Sequence, residues 1–158
     1  MKIVTGLDLP DLTFAHEDQF TLLRIQPIGN SFVKPEGGVW FSPPGTWLGW
    51  CRDEDWGDWE RKVEQPVDRR LLADQRFIVI DTFEDLEELL ADYELEQNLP
   101  PDLEFTLPGL PDFEALARVY DGIYLTEAGQ WRTRTTRPSL YGWDIESVLW
   151  FGPSEGRS

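Results

Sequence analysis

The chain has 158 residues, of which 41% are hydrophobic and 13% aromatic, so its length and apolar content are those of one folded domain and exclude a disordered acidic tail. Its 30 acidic residues against 14 Lys and Arg leave a formal net charge of −16, which disfavours nucleic acid as a partner. It has neither a run of about 18 apolar residues nor a basic N-terminal region followed by an apolar stretch, so we expect a cytoplasmic protein without a membrane partner.

The first third of the chain predicts two short strands after an irregular start. Residues 1–19 mix apolar pairs with acids and show no sustained period, so we assign them no regular element. The apolar run FTLLRI at 20–25 is followed by Pro27 and predicts a short buried strand. The run VWFS at 39–42 predicts a second strand, which two prolines end.

The middle of the chain alternates predicted helices with one clear strand. Thr46 can cap a helix, and the charged stretch 52–75 predicts a solvated connection with some helix. RFIVI at 76–80 predicts a buried strand, and Asp81 or Thr82 can cap the amphipathic helix that follows. The residues expected on the buried sides of these two helices are Trp47, Leu48, Trp50 and Cys51 in the first, and Leu86, Leu89, Leu90 and Tyr93 in the second.

The last third begins with a segment at 98–111 that holds four prolines and a glycine, so we expect a loop that covers the domain as a lid. The patterns after it predict a helix at 112–118, a strand at 120–126, an exposed hairpin arm at 129–138, a closing strand at 146–151 and a polar tail at 152–158. Together the elements predict a single α+β domain of short strands with interposed helices over residues 1–158.

Many familiar catalytic patterns are absent from the sequence. It lacks the glycine-rich phosphate-binding patterns, the serine nucleophile elbow and the helical zinc-protease pattern. Cys51 is the only cysteine, which excludes an intramolecular disulfide and a multi-cysteine metal site and favours a reducing compartment. The lone histidine, His16, lies beside two acids and is interpreted as a solvated surface residue. We therefore expect no metal.

The stretch GGVWFSPPGTWLGWC at 37–51 is the most informative part of the sequence. It resembles the segment of poly(ADP-ribose) polymerase-like ADP-ribosyltransferases in which a glycine leads into a Gly-Ile-Tyr-Phe-Ala strand, a serine-bearing turn and a helix with aromatic residues and cysteine. The resemblance places Trp40 where that family has its nicotinamide-stacking tyrosine, and an indole face suits a cationic pyridinium ring. The alternative is that Trp40 and Phe41 simply alternate between core and surface on a strand.

Two further segments resemble the same family in the same order. YGWDIESVLWF at 141–151 is similar to the last catalytic strand, which implies that Glu146 stabilises the oxocarbenium-like transition state as the bond to nicotinamide breaks. TLLRIQPIGNS at 21–31 is similar to the first strand, which implies that Arg24 grips NAD⁺. By the same resemblance, Ser42 would help to hold the nicotinamide amide or ribose. The alternatives are that Glu146 is one of 30 acids at a strand edge and that Arg24 pairs with a carboxylate.

Two functions follow from the sequence. The resemblance implies an ADP-ribosyltransferase-like domain, acting as an NAD-dependent ADP-ribosyltransferase or NAD⁺ glycohydrolase with NAD as its substrate and an unknown ADP-ribose acceptor. The alternative is a non-enzymatic acidic interaction protein that binds a basic partner through its surface charge.

Overall fold

A five-stranded mixed sheet lies at the centre of the computed structural model, which describes residues 1–16, 22–96 and 109–154. The strands are β1 (Lys2–Thr5), β2 (Thr13–His16), β3 (Val39–Phe41), β4 (Val63–Pro66), β5 (Arg76–Ile80), β6 (Gly122–Leu125) and β7 (Ser147–Trp150). The central sheet has the order β1-β5-β6-β7-β3, in which only β5 and β6 run parallel, while β2 and β4 form a separate antiparallel pair. The mixture of strands and helices confirms the α+β class.

Five α-helices connect these strands in the described part of the chain. They are α1 (Thr46–Asp53), α2 (Arg69–Leu72), α3 (Phe83–Tyr93), α4 (Phe113–Ala117) and α5 (Glu127–Thr133). No helix among the described residues combines the length and the apolar composition that crossing a bilayer requires.

The strand–helix unit of β5 and α3 follows the sequence closely. The Thr82 hydroxyl accepts a hydrogen bond from the Asp85 amide at 3.1 Å, and the Asp85 carboxylate accepts one from the Thr82 amide at 3.0 Å. This reciprocal pair satisfies amides that would otherwise be unpaired at the helix start. Leu86, Leu89 and Leu90 then lie buried on one face, as the helical spacing predicts.

Each face of the central sheet carries its own core because side chains alternate along a strand. On one face Ile78, Ile80 and Leu149 pack against the buried side chains of α3 and α4. On the other face Phe77 and Trp150 pack against residues from the N-terminal segment and α2. Burial of each large apolar side chain stabilises the fold by about 1.5–3 kcal/mol relative to its exposure.

The N-terminal predictions are wrong in two places. Residues 1–19 are not wholly irregular, since β1 pairs with β5 and β2 pairs with β4. The strand predicted at 20–25 is not formed in its described part, where Leu22–Arg24 is a single 3₁₀ turn and Leu22 is 46% exposed. Residues 20 and 21 lie outside the described residues. A short apolar run does not by itself distinguish a strand from a helical turn.

Two later predictions are wrong in part. The first half of the predicted hairpin arm at 129–138 lies in the helix α5, because the Thr126 hydroxyl accepts a hydrogen bond from the Gly129 amide at 3.0 Å and caps the first turn. The connection at 52–75 contains the strand β4 in addition to helix. Most of the predicted lid at 98–111 lies outside the described residues; its described end is anchored by the Leu95 amide, which donates to the Leu110 carbonyl at 2.7 Å.

Gly122 provides a test of how closely the sheet and its core are packed. A Cβ at this position would lie 2.4 Å from the Leu149 carbonyl oxygen and 2.6 Å from the Phe77 ring. We expect Gly122→Ala to lower the free energy of unfolding by about 1–3 kcal/mol through overpacking. Gly49→Ala is the matched control, because a Cβ there meets nothing within 4 Å in α1, and it should raise stability by up to about 1 kcal/mol. Urea denaturation measures both, and equal stabilities for the two variants would contradict this packing.

Candidate functional site

A cavity of about 530 Å³ opens beside the edge strand β3, within the size range of small-molecule sites. Its walls come from segments that are far apart in the sequence: β2, the 3₁₀ turn at 22–24, β3, the start of α1 and the segment that leads into β7. The residues that line it are Phe14, Ala15, Arg24, Ile25, Lys34, Gly38, Val39, Trp40, Phe41, Ser42, Trp47, Trp56, Lys62, Trp143, Asp144, Ile145 and Ser147.

Trp40 forms one wall of this cavity and also contacts the core. Its ring meets that of Trp143 edge to face, with centroids 4.7 Å apart. Trp143 is buried and its indole N–H donates to the Val33 carbonyl at 2.7 Å, so the ring beneath Trp40 is fixed. The Lys34 ammonium lies 5.7 Å from the Trp40 ring centroid. Trp40 is half-buried, so its ring contacts the core while part of it lines the cavity.

Ser42 follows β3, lines the cavity and is buried. The residue is only 5% exposed. Its backbone pairs with Thr13, whose amide donates to the Ser42 carbonyl at 2.7 Å. Within the part of the chain that the structure describes, no hydrogen bond is made to the Ser42 hydroxyl. A buried hydroxyl without a partner is costly, and a polar ligand group in the cavity would satisfy it.

The described lining of the cavity carries more cations than acids. Among the residues that the structure describes, Arg24, Lys34 and Lys62 line it together with one acid, Asp144, although acids outnumber bases 30 to 14 in the sequence. Asp144 lies 3.7 Å from the Lys34 ammonium. The lining therefore favours an anionic ligand.

The glycines before β3 serve the packing of the chain itself. Gly37 and Gly38 adopt left-handed backbone angles, with φ of 78° and 67°. A Cβ on Gly37 would lie 2.1 Å from the Pro27 carbonyl oxygen, and one on Gly38 would lie 2.8 Å from that of Trp150. The turn into β3 thus requires glycine irrespective of any ligand.

A cluster of three tryptophans, Trp47, Trp50 and Trp56, stands on and beside α1. The rings of Trp47 and Trp50 stack with centroids 5.1 Å apart and planes 9° apart, and Trp56 meets Trp47 at 5.6 Å and 67°. The Lys62 ammonium lies 5.2 Å from the Trp56 ring centroid. The sequence predicts that Trp47 and Trp50 face the core and that Trp56 lies in a solvated connection; in the structure Trp47 and Trp50 are half-buried and Trp56 is 50% exposed.

Glu64 on β4 holds this cluster in place. Gly45, rather than the predicted Thr46, is the N-cap of α1, and its amide donates to both carboxylate oxygens of Glu64 at 2.8 and 3.0 Å. A carboxylate at this end of a helix also interacts favourably with the helix dipole. Since β4 follows Lys62 directly, the same contact brings Lys62 to the cavity.

Glu146 is next to the cavity lining in sequence, and its carboxylate contacts Tyr124. It precedes β7, between Ile145 and Ser147, which line the cavity, but is itself not among the described residues that do so. Its half-buried carboxylate accepts a hydrogen bond from the Tyr124 hydroxyl on β6. Burial, and after it the bond to Glu146, raises the pKa of Tyr124 well above its ordinary value of 10.

The structure therefore brings Arg24, Trp40 and Ser42 to one cavity and sets the Glu146 carboxylate beside it against Tyr124. His16 lies on β2. Among the described residues, no three His, Cys, Asp or Glu side chains are grouped so that they could hold a metal ion. Sequence reasoning missed Trp56, Lys62 and Tyr124 as parts of this region.

Comparison of the chain with protein-family models, with curated proteins and with solved structures found no match.

The contact between Tyr124 and Glu146 predicts a pH dependence of stability. The folded protein holds the phenol proton more tightly than the unfolded chain does, so the stabilisation is complete below pH 10 and is lost as the pH rises above it. We expect Tyr124→Phe to lower the free energy of unfolding at neutral pH by about 1–3 kcal/mol, because the hydrogen bond to a carboxylate is lost. Between pH 9 and about 11.5 the free energy of unfolding should fall less in this variant than in the wild type.

Thermal denaturation across this range measures the effect. Tyr141→Phe is the control, because Tyr141 is exposed. Parallel pH profiles for the wild type and Tyr124→Phe would contradict the contact.

Proposed function

We propose that the cavity binds NAD⁺ and that the protein cleaves the nicotinamide–ribose bond, as an ADP-ribosyltransferase or an NAD⁺ glycohydrolase. The observation that supports this most is that Arg24, on the 3₁₀ turn, lines the same cavity as Trp40 on β3 and Ser42 directly after it. These are the residues that the resemblance of the sequence assigns to NAD⁺.

The chemistry of the lining suits the two ends of this substrate. The half-exposed face of Trp40 offers a π surface to a cationic pyridinium ring. Arg24 and the two lysines offer charged donors to the pyrophosphate. The Ser42 hydroxyl, buried and without a partner among the described residues, is available to the nicotinamide amide or ribose.

In the proposed reaction the bond between the ribose C1′ and the nicotinamide nitrogen breaks, and its electron pair leaves with nicotinamide. The ribose then carries positive charge, which a nearby carboxylate stabilises. Water or an acceptor nucleophile forms the new bond at C1′ and gives up its proton. Glu146 is the candidate carboxylate because the resemblance of the sequence assigns it this role; it is not among the described residues that line the cavity, but both of its sequence neighbours are, and the Tyr124 hydroxyl donates a hydrogen bond to it.

Replacement of Glu146 tests the catalytic proposal. We expect Glu146→Gln to lower the rate of nicotinamide release from NAD⁺ by at least about 100-fold, because the charge acts in the transition state, with NAD⁺ affinity changed by no more than a few fold. Glu87→Gln, an exposed site on α3, removes one negative charge and is the matched control.

Nicotinamide release is followed by liquid chromatography, and NAD⁺ affinity by calorimetry on the same preparations. Release by Glu146→Gln at the wild-type rate would remove Glu146 from the mechanism. If the wild-type protein neither binds nor cleaves NAD⁺, the proposed function is refuted, and an acidic interaction protein that binds a basic partner becomes the better hypothesis.

A further inference from the structure

The cavity has a second aromatic wall that the assignment of Arg24, Trp40 and Ser42 does not use. Trp47 and Trp56 both line it, together with Lys62. Trp56 is 50% exposed although it contacts the rings of Trp47 and Trp50. About half of the Trp56 side chain is therefore accessible, and its place on the lining makes that surface reachable from the cavity.

The backbone around Trp56 holds it in this position. Both sequence neighbours of Trp56 have left-handed backbone conformations, with a φ of 48° at Asp55 and 65° at Gly57. The Trp56 amide donates to the Cys51 carbonyl at 2.8 Å at the end of α1. A left-handed conformation is uncommon for a residue other than glycine, and such conformations cluster at functional sites.

Each of the two aromatic walls places a lysine ammonium beside a tryptophan ring. Trp40 has the Lys34 ammonium 5.7 Å from its ring centroid, and Trp56 has the Lys62 ammonium at 5.2 Å. Arg24 is a third cation on the same lining. An indole beside a cation suits a planar base that carries a phosphate, because the base stacks while the phosphate meets the charge. Two such places in one cavity suit a ligand with two rings joined by phosphates.

We propose that Trp56 and Lys62 form a subsite for the adenine nucleotide half of a dinucleotide, in which adenine stacks on Trp56 and the adjacent phosphate contacts Lys62. This inference rests on the proposed function, since it assigns the second end of the substrate whose nicotinamide end lies on Trp40. Glu64 positions the subsite, because it bonds the first amide of the turn into α1 and follows Lys62 closely in sequence.

Calorimetric titrations with AMP and with nicotinamide mononucleotide test the two ends separately. We expect Trp56→Ala to weaken AMP binding about tenfold, the change that a stacking contribution of about 1.4 kcal/mol gives, and to leave binding of nicotinamide mononucleotide unchanged. Trp40→Phe should weaken binding of nicotinamide mononucleotide and leave AMP binding unchanged. Lys62→Gln should weaken AMP binding more at low salt than at high salt.

Trp131→Ala is the matched control for the loss of an exposed indole. Trp131 is 65% exposed on α5 and also lies beside a cation, Arg134, at 5.5 Å. It is not among the described residues that line the cavity, so both ligands should bind this variant as they bind the wild type. Trp56→Phe keeps a ring and gives an intermediate loss if Trp56→Ala proves unstable.

The outcomes separate this inference from the function on which it rests. AMP binding that Trp56→Ala or Trp56→Phe leaves unchanged, or a wild type that does not bind AMP, overturns the subsite. Equal losses for both ligands in Trp56→Ala also overturn it. A wild type that binds AMP through Trp56 but binds neither NAD⁺ nor nicotinamide mononucleotide supports the subsite and refutes the NAD⁺ function.

Discussion

The antiparallel pairing of β3 with β7 is the contact on which the arrangement of the cavity depends. Trp40 lies opposite Leu149 in this ladder, and Phe41 lies opposite Val148, although more than 100 residues separate the two strands in the sequence. All four residues of β7 are buried, so this strand is held between two cores. A shift of one residue would turn Trp40 into the opposite core, and the register is therefore fixed by the burial of both faces.

The second sheet extends this arrangement to the other wall of the cavity. Thr13 bonds the backbone of Ser42 at the end of β3 and lies opposite Pro66 of β4. The strand β4 in turn carries Glu64, which caps α1 and its tryptophans. A continuous series of backbone and charge-assisted contacts thus connects the two aromatic walls. It also gathers three cations in a chain of net charge −16. Salt screens distant charges more than near ones, so these cations would act on a ligand in the cavity more strongly than the distant acids do.

The sequence predicts the parts of this fold in which local pattern and tertiary packing agree. The run at 76–80 and the helix Phe83–Tyr93 have a clear period and a strong cap, and both form. The strand at 2–5 is short and only half-buried, so its signal is weak, and its pairing with β5 is a long-range contact. At 129–133 the alternation of polar and bulky residues suggested a strand, but the Thr126 cap and two buried side chains on one helical face decide the outcome.

Some residues of the candidate site could be predicted from the sequence and others could not. Trp40, Ser42 and Arg24 were found from short segments that resemble a known family, and their meeting in one cavity is consistent with that resemblance. Trp56 and Lys62 come from a charged connection, and long-range contacts bring Lys62 to the cavity: the pairing of β2 with β4 and the contact of Glu64 with Gly45. No local sequence pattern reveals these contacts. The contact of Glu146 with Tyr124 depends on the register of β6 against β7 and was equally hidden.

The most direct measurement of the central claim is a crystal structure of the protein grown with a dinucleotide analogue whose nicotinamide–ribose bond cannot be cleaved. The account predicts the nicotinamide ring on Trp40, a polar group of the ligand within hydrogen-bond distance of the Ser42 hydroxyl, and the pyrophosphate among Arg24 and the two cavity lysines. An empty cavity at saturating ligand, or a ligand bound elsewhere on the surface, would contradict it.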